Sequence, residues 1–411
     1  MDTLDAQLGG KAGFSRDGDV LCLDDMPLPR LAERVGATPF FAYVRSAITA
    51  RVQRLREALP RELHLHYAIK ANPMPAVVQH LAGLVDGFDL ASGGELRVAL
   101  DTPMPARQIS FAGPGKTAAE LRQAAASGVT VCVESMSEIR ALAGIGGSLD
   151  LRPAVVVRVN PDFELRSSGM HMGGGPKPFG IDAEQVPAAL DEIASLPLEF
   201  RGFQMFCGSQ NLNAAAIVDT QRKIVDLATE LARHAPGPVR LLNMGGGFGI
   251  PYFPGDKPLD LDEVGRGLAS LVPAARRGLP EAELVIELGR YLVGEAGAYV
   301  CRVVDRKVSR GKVFLVTDGG LHHHLAASGN FGQVVRRNYP VVIGNRMSSP
   351  VEESAEIVGC LCTPIDVLAR NAELPAAQIG DLVVVFQSGA YGRSASPLGF
   401  LSHPEPAEIL V

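Results

Sequence analysis

Eight short apolar runs recur between residues 63 and 288 of this chain, and helix-type sequence separates each run from the next. The helix signals include apolar residues at three- and four-residue spacing between Val77 and Val85 and between Ile217 and Leu231. Strand–helix repeats form right-handed crossovers and a parallel sheet, and eight of them fit a closed (β/α)8 barrel. A doubly wound open sheet is the alternative, although it usually carries a phosphate loop after its first strand. The runs are Leu63–Ile69, Gly87–Ala91, Gln108–Ala112, Val129–Val133, Ala154–Val159, Phe200–Phe206, Val239–Met244 and Leu284–Leu288.

The sequence after residue 288 changes character. Runs at Val300–Val308, Val313–Thr317, Glu356–Gly359 and Asp381–Phe386 predict strands joined by turns, with little helix between them. A chain of 411 residues is also too long for one ordinary core. We therefore expect an α/β protein of two domains. One is a (β/α)8 TIM barrel at 36–288, and the other is an antiparallel β domain of sandwich or barrel type, formed by 289–411 together with 1–35.

The composition and charge of the chain argue against several classes of binding partner. The net charge is −6 with the two signs interspersed, so nucleic acid is not expected, and no apolar run approaches the ~20 residues that span a membrane. Met1–Asp5 lacks the basic and apolar parts of a signal peptide, so we expect a cytoplasmic protein. Six scattered cysteines in a chain of this size predict no disulfides. Consecutive residues of an extended chain point to alternating sides, so His322–His324 predict no metal site.

Lys70 closes the first apolar run, and Ala71-Asn72-Pro73 then breaks it. A lysine at the end of a buried strand is costly unless its amine is neutral, paired or covalently engaged. One interpretation is a side chain that simply extends to solvent at the strand end. The other is a desolvated amine that forms a Schiff base with an aldehyde cofactor. Lys70 alone does not decide between them.

The other predicted strands also end in polar or glycine residues, and in a (β/α)8 barrel the catalytic groups lie at these ends. Gly245–Gly249 would let backbone amides approach a phosphate. Glu287 would keep a pyridine nitrogen protonated, although a salt bridge to Arg290 is an alternative. With the Lys70 amine, these groups predict a site for pyridoxal 5′-phosphate. The strand ends carry Lys70, Asp89 and Ser92, Gly113 and Lys116, Glu134, Arg158 and Asn160, Phe206 to Gln210, Gly245 to Gly247, and Glu287 to Arg290.

These residues stand in motifs that resemble the fold-type III pyridoxal phosphate decarboxylases, which include ornithine, arginine and diaminopimelate decarboxylases. The resemblance covers nearly the whole chain and implies a barrel of the alanine racemase type with a C-terminal β domain. The family motifs are His66–Asn72, Phe88–Glu95, Gly245–Gly249, Glu287–Tyr291, Cys362 and Gly389–Tyr391. Other stretches resemble the subgroup associated with exosortase A systems, which occurs with exopolysaccharide loci. They are Asn160–Leu165, Gly173–Pro176, Asp318–Gly332 and Ser396–Leu401.

The resemblance implies a role for individual residues. Lys70 would bind the coenzyme covalently, and Glu287 would contact its pyridine nitrogen. Asp89, together with Glu95, would support the Lys70 strand from beneath. Cys362 of one subunit would donate a proton in the active site of the other, which makes the enzyme a homodimer with shared sites. The phosphate would lie among Ser209, Gly246, Gly247, Gly289, Arg290 and Tyr391.

Several positions depart from the family pattern and bear on the substrate. Phe206 stands where the family has a histidine that stacks on the cofactor ring; phenylalanine can stack but cannot carry charge. Thr363 follows Cys362 where diamino-acid enzymes have an acidic residue, and Asn330 replaces their aspartate or arginine. Arg158, Asn330 and Thr363 are the expected substrate contacts. We expect a carboxy-lyase for an amino acid or amino-acyl conjugate, neutral, bulky or carrier-linked, in an exopolysaccharide- or exosortase-associated pathway.

Other functions stay open at this point. A racemase or epimerase on the same scaffold would use an arginine at the pyridine nitrogen and a tyrosine base, where this chain has Glu287 and Cys362. A diaminopimelate- or ornithine-type decarboxylase would act on a free diamino acid. A non-catalytic homologue would be expected to lack the lysine, the thiol or the β domain, and this chain keeps all three. Cys360 takes a place usually held by proline in relatives, and we expect it to be structural.

Overall fold

The structure is a computed structural model that describes residues 12–163, 170–171, 174–331, 333 and 335–411. Met1–Asp5 and parts of the stretches 160–165, 173–176 and 318–332 therefore lie outside the described residues. The α-helices are α1 Leu28–Val35, α2 Arg45–Ala58, α3 Pro75–Ala82, α4 Gly93–Leu100, α5 Ala118–Ser127, α6 Met136–Leu149, α7 Val186–Ser195, α8 Ala214–Leu231, α9 Leu261–Gly278 and α10 Arg290–Val293. Short 3-10 helices lie at Ile69–Ala71, Ala106–Gln108, Ala183–Gln185, Ala232–His234, Gly294–Ala296, Arg393–Ala395 and Phe400–Ser402.

The strands are short and numerous. They are β1 Phe14–Asp17, β2 Val20–Leu23, β3 Met26–Pro27, β4 Phe40–Tyr43, β5 Leu63–Ala68, β6 Gly87–Leu90, β7 Ile109–Phe111, β8 Thr130–Val133, β9 Ala154–Asn160, β10 Met170–His171, β11 Ile181–Asp182, β12 Glu199–Gln204, β13 Gly208–Ser209, β14 Leu241–Gly246, β15 Glu283–Leu288, β16 Gly297–Ser309, β17 Lys312–Thr317, β18 Val341–Ile343, β19 Glu353–Val358, β20 Val367–Leu374, β21 Leu382–Val385 and β22 Ala407–Leu410.

Eight parallel strands close a barrel within one compact unit of the chain. Their hydrogen-bonded order is β5, β6, β7, β8, β9, β12, β14 and β15, and β15 pairs with β5 to complete the ring. These are the eight apolar runs of the sequence, so the predicted closed barrel is confirmed and the open sheet is excluded. Because every pairing in the ring is parallel, all eight carboxyl ends meet at one rim.

Apolar strand bodies and capped helices explain why the chain adopts this repeat. Inward-facing side chains from four ring strands pack together, and because these strands are not all neighbours in the sheet, they meet inside the barrel: Cys132, Val156, Leu241 and Val285. Several of the helices between strands begin where a side chain accepts a free backbone N–H. Thr117 and Glu120 form a capping box at α5, and Ser135 caps α6. The helix caps and the apolar strands therefore both favour the alternating strand–helix repeat of the barrel.

The other compact unit contains an eight-stranded sheet. Its order is β18, β21, β16, β17, β19 and β20, while β4 pairs with both β16 and β22. Most pairs are antiparallel, as expected from the sequence, and β17–β19 and β22–β4 are parallel, so the sheet is mixed. The long segment between β17 and β19 provides the crossover that a parallel pair requires. Buried residues of β2, α1, β4 and the sheet form the core, among them Leu21, Leu28, Phe40, Val300 and Val384.

The two compact units divide the chain at several points. From residue 12 onward, the unit with the mixed sheet comprises residues up to 51, 251–256 and 292–411, and the barrel unit comprises 52–250 and 257–291. The sequence placed residues 36–51 with the barrel. β4 is fully buried and apolar like a barrel strand, so only its partners, β16 and β22, decide that it belongs to the mixed sheet. None of the helices in the described ranges combines the length and apolar character of a membrane span.

Candidate active site at the carboxyl ends of the barrel strands

Lys70 lies just beyond the carboxyl end of β5, in the short helix Ile69–Ala71. Its Nζ is 5.3 Å from the centroid of the Phe206 ring, which follows β12. Both side chains are partly exposed, so the amine lies at an open rim. Burial raises the pKa of Glu95 at the start of α4, and the Ala91 N–H and the Lys70 charge act against that rise. The lysine therefore has an acidic neighbour as well as an aromatic one.

Glu287 and Asp89 form a buried pair of carboxyl groups, exposed by only 6% and 5%. Asn243 Nδ2 lies 3.3 Å from Asp89 Oδ1 and 3.3 Å from Glu287 Oε2, and Gln204 Nε2 donates to Glu287 Oε2 at 3.4 Å. Burial raises the pKa of Glu287, the Asp89 charge raises it further, and the cations of the rim oppose the rise. In the coenzyme-free protein, ionisation of the Glu287 carboxyl is therefore costly.

Neighbouring strands hold Asp89 in place. Ser110 on β7 donates its hydroxyl proton to Asp89 Oδ1, and His66 Nδ1 on β5 lies 3.2 Å from Asp89 Oδ2. His66 is itself buried at 3% exposure. Because Asp89 is fixed by both neighbours, its carboxylate stays close to Glu287 and adds to the cost of ionising that residue.

A second buried cluster of charges lies at the ends of β7, β8 and β9. Arg158 Nη1 donates to Glu134 Oε1 at 2.9 Å, and Lys116 Nζ donates to Glu138 Oε1 at 2.9 Å. The Arg158 guanidinium also lies 5.0 Å from the Phe179 ring centroid. These contacts engage Arg158 with the protein itself, and its expected contact with substrate stays a prediction.

The glycine loop after β14 has the backbone conformation of an anion site. Gly245 and Gly247 have φ values of 63° and 76°, in the left-handed region that favours glycine. Asn211 N donates to Gly247 O at 2.9 Å, and Gly249 N donates to Asn211 O at 2.8 Å. The loop is thereby tied to the segment that follows Ser209. Successive amides in such a conformation form a concave anion-binding surface.

Close backbone packing joins this loop to β15. A Cβ at Gly246 would lie 2.3 Å from Glu287 O, and a Cβ at Gly289 would lie 2.9 Å from the Cβ of Ala71, next to Lys70. Only glycine fits at such distances without a shift of the backbone. Arg290 begins α10 directly after this point and is partly exposed. The structure therefore groups the predicted barrel residues at one rim.

The remaining predicted residues lie in the unit with the mixed sheet. Cys362 is an exposed thiol in the connection between β19 and β20, and Thr363 shares this turn. Asn330 Nδ2 donates to Ile365 O in the same turn at 3.3 Å. Tyr391 has a positive φ of 53°. The structure thus brings together Cys362, Thr363 and Asn330 within this unit.

Sequence reasoning missed several residues that organise the barrel site. Gln204, Asn243, Ser110 and His66 hold the two buried carboxyl groups, yet none was given a role in the site, and only His66 stood in a family motif. Each is a polar residue within an apolar strand, close to its carboxyl end. Because a buried polar group needs a hydrogen-bond partner, that pattern is the signal that could have identified them.

The residues at this rim fit pyridoxal 5′-phosphate. The amine of Lys70 suits an aldehyde, and the buried Glu287 carboxylate suits a protonated pyridine nitrogen, whose positive charge would offset the burial and the Asp89 charge that raise the pKa of Glu287. The left-handed glycines, tied to the segment that follows Ser209, suit a phosphate. Phe206, close to the amine, offers an aromatic face for stacking on a ring. All these groups belong to one compact unit.

Known proteins share these features. Residues 45–294 match the family described as "Pyridoxal-dependent decarboxylase, pyridoxal binding domain". The chain is 37% identical to L-glutamyl-[BtrI acyl-carrier protein] decarboxylase of Niallia circulans, over 94% of this chain and 92% of that protein. It is 31% identical to diaminopimelate decarboxylase of Zymomonas mobilis, over 97% and 93% of the two chains. The crystal structure of diaminopimelate decarboxylase from M. jannaschii superposes with a TM-score of 0.88 at 25% identity, covering 98% and 93% of the two chains.

Proposed function

The chain belongs to the pyridoxal-dependent decarboxylases, and we propose that its substrate is an acidic amino acid joined through its side-chain carboxyl to a carrier protein. The reaction is the decarboxylation of an amino acid or amino-acyl conjugate with pyridoxal phosphate as coenzyme. The main support for the proposed substrate is the relative from Niallia circulans, whose name specifies a carrier-linked glutamyl group. The uncharged Thr363 and Asn330 agree with it, because neither can pair with a free distal ammonium group.

Chemistry restricts where such a carrier can be attached. Decarboxylation releases the α-carboxylate as CO2, so that group must be free. The α-amine must also be free, because it is the group that reacts with the coenzyme aldehyde. A tether can therefore enter only through the side chain. A thioester at the side-chain carboxyl also removes the distal negative charge that a free glutamate would bring into the site.

Different residues at the barrel rim would bind different parts of the coenzyme. When bound, pyridoxal phosphate supplies an electron sink for the electron pair left by departing CO2. We assign Lys70 to its aldehyde and Glu287 to its pyridine nitrogen. The Glu287 carboxylate would accept a hydrogen bond from the protonated nitrogen, and that positive charge would offset the burial and the Asp89 charge that raise the pKa of Glu287. Phe206 would stack on the ring, and Ser209 would hold the phosphate with Gly246, Gly247, Gly289 and Arg290. The expected role of Tyr391 stays a prediction.

Cys362 is the proposed proton donor of the reaction. Its thiol is exposed, and Asn330 and Asp366 hold the turn that carries it. An exposed thiol cannot complete a water-excluded site alone, so we propose that it serves the site of a second copy in a homodimer. A thiol near a cationic cofactor can donate a proton to the carbon from which CO2 departed. This role is independent of the proposed carrier.

A CO2-release assay tests the substrate. The probes are glutamate linked through its side-chain carboxyl to pantetheine, the same glutamyl group on an acyl-carrier protein, free glutamate, lysine, ornithine and meso-diaminopimelate. We expect kcat/KM for the linked glutamyl group to exceed that of each free amino acid by at least ~100-fold, because the site binds the tether. A kcat/KM for a free diamino acid as high as that for the linked glutamyl group would contradict the proposed substrate.

A matched variant sharpens the test. Thr363→Glu adds an acidic group beside Cys362, so it should lower kcat/KM for the linked glutamyl group and raise it for ornithine or lysine. Thr363→Ser is the control and should keep the wild-type preference. If Thr363→Glu leaves the ratio of the two kcat/KM values unchanged, Thr363 does not face the distal part of the substrate.

We also propose that the enzyme works in the cytoplasm. This proposal is supported by the free thiols of all six cysteines, because a reducing compartment preserves free thiols. They are Cys22, Cys132, Cys207, Cys301, Cys360 and Cys362. Cell fractionation with an antibody to the chain tests this location. The resemblance to exosortase-associated enzymes and an exopolysaccharide pathway stays a prediction.

A further inference from the structure

The three consecutive histidines have different surroundings. His323 Nε2 lies 2.9 Å from Pro404 O, and His324 Nε2 lies 2.9 Å from Ser388 Oγ. His322 is fully buried, yet neither of its ring nitrogens has a hydrogen-bond partner among the described residues. Because a buried neutral imidazole contains one donor and one acceptor, leaving both unused is costly. Within the described ranges, His322 therefore lacks the hydrogen bonds that its two neighbours make.

Cys360 and His403 lie close to the unsatisfied His322 ring. One ligand atom from each of the three residues lies within 4.8 Å of the other two. Cys360 Sγ is 3.8 Å from His403 Nδ1 and 3.9 Å from His403 Nε2, and the rings of His322 and His403 are 5.3 Å apart at their centroids. Bond lengths of ~2.3 Å to sulfur and ~2.0–2.1 Å to nitrogen place one sulfur and two nitrogen ligands of a tetrahedral zinc ion roughly 3.3–3.6 Å apart. Small side-chain rotations would close the three residues onto such an ion.

Asp366 holds the two backbone segments that carry His322 and Cys360. Its carboxylate accepts the N–H of Leu321 at 2.6 Å and the N–H of Leu361 at 2.8 Å, each one residue from a member of the cluster. A Cβ at Gly320 or at Gly359 would lie 2.2 Å from an Asp366 oxygen, so both positions leave room for this carboxylate. The buried Asp366 therefore fixes the spacing between His322 and Cys360. Residues that orient ligands in this way support known metal sites.

A divalent ion bound by these three residues would take the Cys360 sulfur as a thiolate, and binding would release the thiol proton to solvent.

We propose that His322, Cys360 and His403 form a binding site for a zinc ion. Zn²⁺ prefers nitrogen and sulfur ligands such as two imidazoles and a thiolate, whereas magnesium and calcium prefer oxygen ligands. Cys360 and His403 are partly exposed, so water can fill a fourth position. The ion would join the segment that begins at residue 320, the turn that carries Cys362 and the C-terminal segment at His403. It would thus fix the Cys362 turn without taking part in the reaction.

Zinc binding to untagged, full-length protein tests the proposal. The protein is treated with a chelator, dialysed and titrated with zinc against a chromophoric chelator. We expect about one zinc ion per chain, and cobalt should give a thiolate-to-cobalt charge-transfer band. Cys360→Ser and His403→Gln should each lower the zinc affinity at least ~10-fold and abolish that band. Circular dichroism establishes that both variants fold.

Matched controls separate this site from other thiols and imidazoles. Cys362→Ser removes the thiol two residues away, and His234→Gln removes an exposed histidine in the barrel unit. Both variants should bind zinc like the wild type. Wild-type protein that binds no zinc at micromolar concentrations would overturn the proposal. Zinc binding that persists in folded Cys360→Ser and His403→Gln would overturn it as well.

Discussion

Replacement of Glu287 by glutamine should stabilise the coenzyme-free protein at neutral pH. Glu287 is buried beside Asp89, and Asn243 Nδ2 lies 3.3 Å from one oxygen of each carboxyl group. The two oxygens are therefore no more than twice 3.3 Å, or about 6.6 Å, apart. At an effective dielectric constant of ~20, two negative charges at that distance repel by about 2.5 kcal/mol. The glutamine amide keeps the shape and a hydrogen-bond acceptor without the charge.

The expected effect depends on pH. The folded-state pKa of Glu287 is raised, so ionisation opposes folding, and the penalty grows as the pH rises from the unfolded value of ~4.3 towards the folded pKa. The cost of keeping the group protonated sets an upper limit of about 4 kcal/mol at pH 7 and about 2 kcal/mol at pH 5.5. We therefore expect Glu287→Gln to gain about 2–3 kcal/mol at pH 7 and less at pH 5.5.

Thermal unfolding of the coenzyme-free proteins at pH 5.5 and pH 7 measures this difference. A gain of 2–3 kcal/mol in a unit of this size corresponds to an increase in Tm of roughly 5–10 °C at pH 7. Glu283→Gln on the same strand is the matched control, because the 2.9 Å contact with His64 lowers the pKa of Glu283. Because the pKa of Glu283 is lowered, its stabilising effect is present above pH ~4.3 and is lost in acid. The pKa of His64 is raised, so the histidine is charged at pH 5.5. Glu283→Gln should therefore be slightly less stable than wild type at pH 5.5. A lower Tm for Glu287→Gln than for wild type at pH 7 would refute the reasoning.

The Lys70→Ala variant should lack the absorption band of the bound coenzyme at ~420 nm. If the variant keeps this band, the coenzyme is bound covalently at another residue. Gly246→Ala brings a Cβ to 2.3 Å from Glu287 O and should weaken coenzyme binding by roughly 5- to 150-fold in a fluorescence titration; an unchanged Kd would mean that the loop adjusts without cost. Arg158→Met leaves the buried Glu134 carboxylate without its cation and should cost about 3–5 kcal/mol in denaturant unfolding. Adding Glu134→Gln to that variant should recover part of the loss, and strict additivity of the two effects would contradict a direct pair.

Much of the barrel and part of its site could be predicted from the sequence. The eight ring strands stand where apolar runs alternate with helical patterns, because both periodicities are local. Lys70, Asp89 and Glu287 stand at strand ends, and parallel strands bring all their ends to one rim. The contacts of Arg158 with Glu134 and of Asn330 with the Cys362 turn could not be predicted, because they join residues that no local pattern links.

The sequence by itself determined the strand–helix repeat, the positions of the polar groups at strand ends and the motifs of a pyridoxal-dependent decarboxylase. Only the tertiary structure decided that β4 belongs to the mixed sheet, that Asn243 links two buried carboxyl groups, and that His322 meets Cys360 and His403. Secondary structure follows from the spacing of apolar residues over a few turns or strands. Side-chain clusters depend on backbone segments far apart in the chain, whose distances are set only when the whole sheet and its connections are packed.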